Sequence, residues 1–184
     1  MPRLNPAPEF DVATWLNTPQ PITLASLAGK VVLIEAFQML CPGCVEHGLP
    51  QAARVRAAFP TSEVAVIGLH TVFEHHEAQG TVAALKAFLH EYRIGFPVGI
   101  DQPSVHGAAP RTMTAYQMQG TPTLILIDRL GRLRAQHFGH VTDLRLGAEI
   151  QALIGETVPA PATAPATTTL DAVCTQEGCT VPSL

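Results

Sequence analysis

Four cysteines in this 184-residue chain fall into two close pairs, Cys41/Cys44 and Cys174/Cys179. The first pair bounds the motif Cys41-Pro42-Gly43-Cys44. It follows the apolar run Val31-Val32-Leu33-Ile34-Glu35-Ala36-Phe37 and precedes a stretch of helical character from Cys44 to Phe59. A strand running into Cys-x-x-Cys and then a helix puts the first cysteine among free backbone N–H groups at the positive end of the helix dipole, where a thiolate is favoured. The thiolate is the species that attacks a disulfide. Cys41 is therefore the expected nucleophile, and Cys44, one turn on, the expected resolving thiol. The other chemistry open to Cys-x-x-Cys is half of a zinc site, which needs a second ligand pair. Cys174-Thr175-Gln176-Glu177-Gly178-Cys179 is spaced more widely than usual zinc pairs and lies beyond a linker. No metal and no cofactor is expected.

Eight histidines add candidates. His70, His75 and His76 follow a second apolar run, and His47 lies one turn beyond Cys44. Neighbours such as His75 and His76 diverge on a helix, so they read as solvated or locally bonded side chains near the rim of the site. A protonated His47 close by would favour the cysteine thiolate. Trp15 reads as a core anchor.

These residues need a scaffold, and the periodicity supplies one. Val31–Phe37 reads as a fully buried strand, and Glu63–Leu69 as another. Pro50 should kink the helix from Cys44 to Phe59. Thr81 caps a helix with Val82, Leu85, Phe88, Leu89 and Tyr92 on one face. Phe96–Ile100 is a short third strand, and Pro103–Met118 is helical in part. Thr123–Asp128 and Leu133–Phe138 form a hairpin around Arg129-Leu130-Gly131-Arg132. Thr142 caps a last helix carrying Leu146, Ile150, Leu153 and Ile154. Residues 1–29 read as an irregular lead-in. Strands alternating with helices imply an α/β sheet with an antiparallel hairpin near its end.

From Gly155 the composition changes to Pro, Ala and Thr. The expected organisation is one domain over residues 1–155 and a linker with a cysteine-bearing tail over 156–184. Hydrophobic residues are 47%, charged residues 14% and the net charge −4. That balance suits a globular protein and argues against a nucleic-acid partner. No run approaches the roughly 20 apolar residues of a membrane span. The start, Met1-Pro2-Arg3-Leu4-Asn5-Pro6, has no apolar core of a signal peptide. The expected location is the cytosol, where cysteine pairs are more often catalytic than structural.

Two stretches resemble the TlpA/ResA-like branch of the thioredoxin superfamily. One runs from Leu27 through Cys41-Pro42-Gly43-Cys44 to Pro50. The other is Gly120-Thr121-Pro122-Thr123-Leu124-Ile125-Leu126-Ile127-Asp128-Arg129-Leu130-Gly131. The resemblance spans about residues 8–155. It implies a thioredoxin-like fold, a central mixed β-sheet flanked by helices, with a helical insertion at Thr81–Arg93. It also implies a thiol–disulfide oxidoreductase whose partners are protein disulfides or dithiols and an unidentified electron donor. By the same resemblance Pro122 is the cis-proline facing the cysteines, Thr121 contacts their sulfurs, and Glu35 is a buried acid that moves protons to and from Cys44. The alternative for Glu35 is a structural acid paired with a lysine. Leu40 stands where the family has tryptophan.

The tail pair lies outside the resemblance. A linker of about 15 residues spans roughly 20 Å and holds its ends at an effective concentration on the order of millimolar. Cys174/Cys179 could thus relay electrons to Cys41/Cys44, close an inert loop, or hold a metal. Two other activities compete. A peroxiredoxin-like thiol peroxidase would carry Pro-x-x-x-Thr-x-x-Cys, but Ala36-Phe37-Gln38-Met39-Leu40 lacks that proline and threonine. A metal-binding redox chaperone would use Cys-x-x-x-Cys, one residue longer than the spacing here.

Overall fold

The computed structural model describes residues 5–157, 173–175 and 178–180. Seven consecutive residues, Val31–Phe37, are buried, and they form β2 at the centre of a six-stranded sheet. The other strands are β1 (Val12–Leu16), β3 (Val64–His70), β4 (Val98–Asp101), β5 (Thr123–Ile127) and β6 (Leu133–Phe138), in the order β1-β4-β3-β2-β5-β6. β2 pairs in parallel with β3 and antiparallel with β5, and β3 pairs in parallel with β4. The sheet is therefore mixed, as the resemblance implies.

Helices cover both faces, which is why β2 reads as a continuous apolar run. The strand's period of two sends Leu33, Glu35 and Phe37 to one face, and Val32, Ile34 and Ala36 to the other. Leu33 and Phe37 pack with α1 (Leu49–Ala58), α3 (Val82–Glu91) and α5 (Asp143–Gly155) through Leu49, Leu85, Leu146 and Ile150. Val32 and Ile34 pack with Ile67, Met113 and Tyr116. Removing a fully buried side chain such as Leu33, truncated to alanine, costs about 2–5 kcal/mol.

Capping agrees with the sequence. The Thr81 hydroxyl accepts from the Ala84 N–H at 3.1 Å, and Thr142 does the same for Arg145 at 3.4 Å. Among the described residues, no helix is long and apolar enough to cross a membrane.

Four expectations need correction. Part of the lead-in, Val12–Leu16, is strand β1, antiparallel to β4 with a register shift between Val12 and Thr14. An edge strand pairs on one side only, and five residues set among prolines and polar residues give little signal of their own. The helix after Cys44 departs from regularity in the turn ahead of Pro50. Cys44–Gly48 is a π turn continuous with α1, whose second residue is Pro50, and the helix widens just where Pro50 has no N–H to donate. The insertion is two helices, α2 (His76–Gln79) and α3, rather than one. On α3 only Leu85 and Leu89 are buried; Val82 and Tyr92 are exposed, because the sheet covers a stripe narrower than the five-residue face. Residues 103–118 hold one short helix, α4 (Arg111–Ala115). Its first N–H groups, from Thr112 and Met113, donate to buried Asp101.

The linker and most of the tail lie outside the described residues. Within the tail, β7 (Val173–Thr175) and β8 (Gly178–Thr180) pair antiparallel, with Cys174 opposite Cys179 in the backbone register.

Candidate active site

The site forms where β2 ends and its polypeptide turns into the helix. The Cys41 carbonyl accepts from the N–H groups of Cys44 and Val45 at 3.1 and 3.2 Å, which makes Cys41 the residue that opens the helix. The Cys44 N–H also lies 3.3 Å from the Cys41 sulfur and donates to it. Free N–H groups at this end stabilise negative charge. Cys41 is partly exposed, whereas Cys44 is buried, and both are free thiols. Burial drives the Cys44 thiol well above its ordinary value, and its hydrogen bond with Cys41 adds to that.

Across from the cysteines lies the loop before β5. The Thr121–Pro122 peptide is cis. The Cys41 thiol donates to the Thr121 carbonyl at 3.6 Å. A Cβ added to Gly43 would stand 3.3 Å from Pro122 Cδ, so the proline ring sits close over the Cys-x-x-Cys turn. Thr121 and Pro122 thus lie beside the sulfurs.

Glu35 points beneath the same turn. It is 1% exposed, and its Oε1 has no hydrogen-bond partner. A Cβ on Gly48 would come within 2.1 Å of that oxygen and 3.2 Å of Pro122 Cβ. Glycine in a helix is otherwise unfavourable by about 1 kcal/mol. Gly48 leaves the space that Glu35 and Pro122 occupy, and its presence inside a helical stretch is a signal that sequence reasoning passed over. Burial pushes the Glu35 carboxyl up to about 8. The lysine-paired alternative is not what the structure has, since Glu35 makes no ion pair among the described residues.

The histidines do not gather. His70 is buried against Phe37, ring centroids 5.3 Å apart, with its Nε2 unpartnered, and burial pulls it down to about 4. His75 and His76 are exposed. The His47 ring lies tilted against that of His140, centroids 5.0 Å apart, a partner that no sequence pattern pointed to. Trp15 packs edge-on to Phe10 within the second apolar cluster, as a core anchor would. Among the described residues, no group of three His, Cys, Asp or Glu side chains is placed to hold a metal ion. Leu40, where the family has tryptophan, is 55% exposed beside Cys41.

Comparison with known proteins places this geometry. Residues 4–136 match the model of the AhpC/TSA family. A crystal structure of a thioredoxin-like superfamily protein is 66% identical, superposes with a TM-score of 0.81, and is aligned over 84% of this chain and 99% of its own. A thiol-disulfide isomerase from Corynebacterium glutamicum is 46% identical with a TM-score of 0.81, over 85% of this chain and all of its own. The thiol-disulfide oxidoreductase ResA of Bacillus anthracis is 29% identical over 140 residues, 76% of this chain and 72% of ResA. The protein DipZ of Mycobacterium bovis is 36% identical over 137 residues, but this chain spans only 18% of its length. With a cysteine pair at a helix start, an adjacent cis-proline and matches of this extent, the chain belongs to the AhpC/TSA family, on a thioredoxin-like fold of the ResA-like kind.

Proposed function

We propose that this chain is a thiol–disulfide oxidoreductase that exchanges dithiol and disulfide with protein partners through Cys41 and Cys44. The observation that carries the reading is the asymmetry of the two thiols. Cys41 is reachable and its sulfur accepts an N–H, while Cys44 is buried and held protonated. The Cys41 thiolate attacks one sulfur of a partner disulfide. That S–S bond breaks, a Cys41–partner bond forms, and the first partner sulfur leaves as a thiolate that takes up a proton. Cys44 loses its proton and attacks the Cys41 sulfur, releasing the second partner thiol. The core pair is thereby oxidised by two electrons and the partner reduced by two; an unidentified donor restores the dithiol. The reverse sequence uses the same residues.

In this reading Glu35 takes the Cys44 proton and returns it. A carboxyl that titrates near 8, under the turn that begins at Cys44, is matched to that task at neutral pH. Thr121 and Pro122 hold the partner chain against Cys41. The test is trapping. Cys44→Ser should accumulate mixed disulfides through Cys41, and Cys41→Ser should accumulate few. Efficient trapping by the Cys41→Ser protein would reverse the roles. Rapid, stoichiometric consumption of hydrogen peroxide by the dithiol would favour thiol peroxidase instead.

The tail pair enters as a relay. It is supported by the register that sets Cys174 opposite Cys179 and by the effective concentration a tether provides. The double variant Cys44→Ser with Cys179→Ser should form a Cys41–Cys174 bond detectable by mass spectrometry. If no core–tail crosslink forms under mild oxidation, the tail is an inert loop or a metal pair. A cytosolic location belongs to the same proposal, and fractionation against a compartment marker decides it.

A further inference from the structure

Two glutamines outside the exchange machinery are buried side by side next to it. Gln38, the residue after β2, is 1% exposed, and Gln79, the last residue of α2, is 0% exposed. Gln79 Nε2 donates to Gln38 Oε1 at 3.0 Å and to the Glu74 carbonyl at 2.9 Å. Gln38 Nε2 donates to Glu74 Oε1 at 3.2 Å, and Gln38 Oε1 also accepts from the Phe73 N–H at 3.3 Å. The remaining group, Gln79 Oε1, accepts from the Leu40 N–H at 3.1 Å. A buried polar pair with every amide group engaged specifies one geometry, because any displacement strands a polar atom away from water.

What this pair specifies is the turn that delivers the nucleophile. Gln38, Met39, Leu40 and Cys41 make a four-residue turn whose closing bond, from the Cys41 N–H to the Gln38 carbonyl, is long at 3.3 Å. Met39 anchors one side of the turn in the first core cluster, but Leu40 is 55% exposed. The contact from Gln79 is the hydrogen bond that fixes the Leu40 amide, the peptide just before Cys41. The helix that carries Gln79 is only four residues long and begins after His75, whose φ of 51° is left-handed. Such a segment keeps its place through its contacts rather than its own helical stability.

We propose that Gln79, acting through Gln38, is a positioning residue for disulfide exchange: it pins the Leu40 amide and so holds Cys41 at closing distance from Cys44. This deepens the exchange reading and rests on it. The insert bearing α2 then sets how readily the core disulfide closes. The stability of a disulfide against glutathione measures the effective concentration of one thiol at the other, and a loosened turn lowers it.

The experiment equilibrates the full-length chain in glutathione buffers and reads the Cys41/Cys44 state by alkylation and peptide-resolved mass spectrometry, which separates it from Cys174/Cys179. Gln79→Met keeps the side-chain volume and removes every amide hydrogen bond. It should lower the equilibrium constant for disulfide formation about threefold or more, which is a rise of about 14 mV in potential for a two-electron couple. Gln38→Met should do the same, and the double variant little more, since the two side chains act as one unit. Thr81→Ala is the control: it removes the α3 cap and loosens the fold without touching Leu40, and should leave the constant unchanged. Methionine variants indistinguishable from wild type, or a Thr81→Ala chain that shifts as far as they do, overturn the proposal. If the methionine variants do not fold, hydrogen exchange on the unmutated dithiol chain decides. The Leu40 amide should be protected roughly a hundredfold or more, and exchange at the rate of an open loop overturns the proposal. A wild-type pair that never equilibrates with glutathione would instead sink the exchange reading.

Discussion

Replacing Glu35 with glutamine tests the most unusual group in the site. The wild-type carboxyl ionises at an ordinary value of 4.5 in the unfolded chain and at about 8 in the folded one. Between those values the folded state keeps a proton that the unfolded state has lost. Stability then falls as pH rises, the reverse of the usual carboxylate. At about 1.4 kcal/mol for each tenfold difference in proton affinity, the full loss is about 5 kcal/mol above both values. About 3 kcal/mol of it falls between pH 5 and pH 8. The amide of the Glu35→Gln variant cannot ionise, so whatever fixed cost it brings in the apolar setting does not vary with pH. Urea unfolding of wild type and Glu35→Gln, under reductant, should give curves of stability against pH that diverge. The variant should gain about 3 kcal/mol relative to wild type from pH 5 to pH 8, while all other titrating groups cancel in the difference. Parallel curves would refute the argument, and would mean that Glu35 finds a counter-charge or water when it ionises. The same variant should slow resolution of the mixed disulfide by Cys44 while leaving the first attack by Cys41 nearly unchanged, as stopped-flow with a chromogenic disulfide can resolve.

Three further outcomes are expected. Gly48→Ala places a Cβ 2.1 Å from the Glu35 oxygen, so it should cost about 2 kcal/mol and lower the thermal midpoint by about 4–8 °C; an unchanged midpoint would show that Glu35 moves aside freely. His70 is pulled down to about 4 from an ordinary 6.5, so the unfolded chain binds a proton first as pH falls and wild type loses about 3 kcal/mol through that window. His70→Leu should flatten the acid limb of the stability curve by that amount, and an unaltered limb would refute it. Truncation after Thr157 should leave the thermal midpoint of the core in place, since it keeps α5 with Leu146, Ile150 and Leu153 buried and keeps the Glu156 carboxylate that pairs with Arg134; a large drop would mean the tail packs on the domain.

The sequence by itself determined where the Cys41/Cys44 pair sits, at the start of a helix, and the buried strand that leads into it. Val31–Phe37 running into Cys41-Pro42-Gly43-Cys44 admits little else, because an unbroken β-branched run must be covered on both faces and a helix that follows puts its N–H groups at Cys41. The capping threonines, Thr81 and Thr142, were equally legible, since a cap is a local contact between residues three apart. Other features hid because they depend on residues distant in the chain. β1 exists only through its pairing with β4, some 80 residues on. The free oxygen of Glu35 is meaningful only because Gly48 and Pro122 close over it. His47 gains His140 as a neighbour through the packing of the loop after β6. Gln38 and Gln79, separated by 41 positions, read as two ordinary polar residues until folding buries them together beside the Leu40 amide. Local hydrogen bonds and periodicity are written into short stretches of sequence, whereas desolvation is a property of the assembled interior. That is why the cysteine pair at the start of a helix was visible beforehand, whereas the groups buried around it were decided by the tertiary structure.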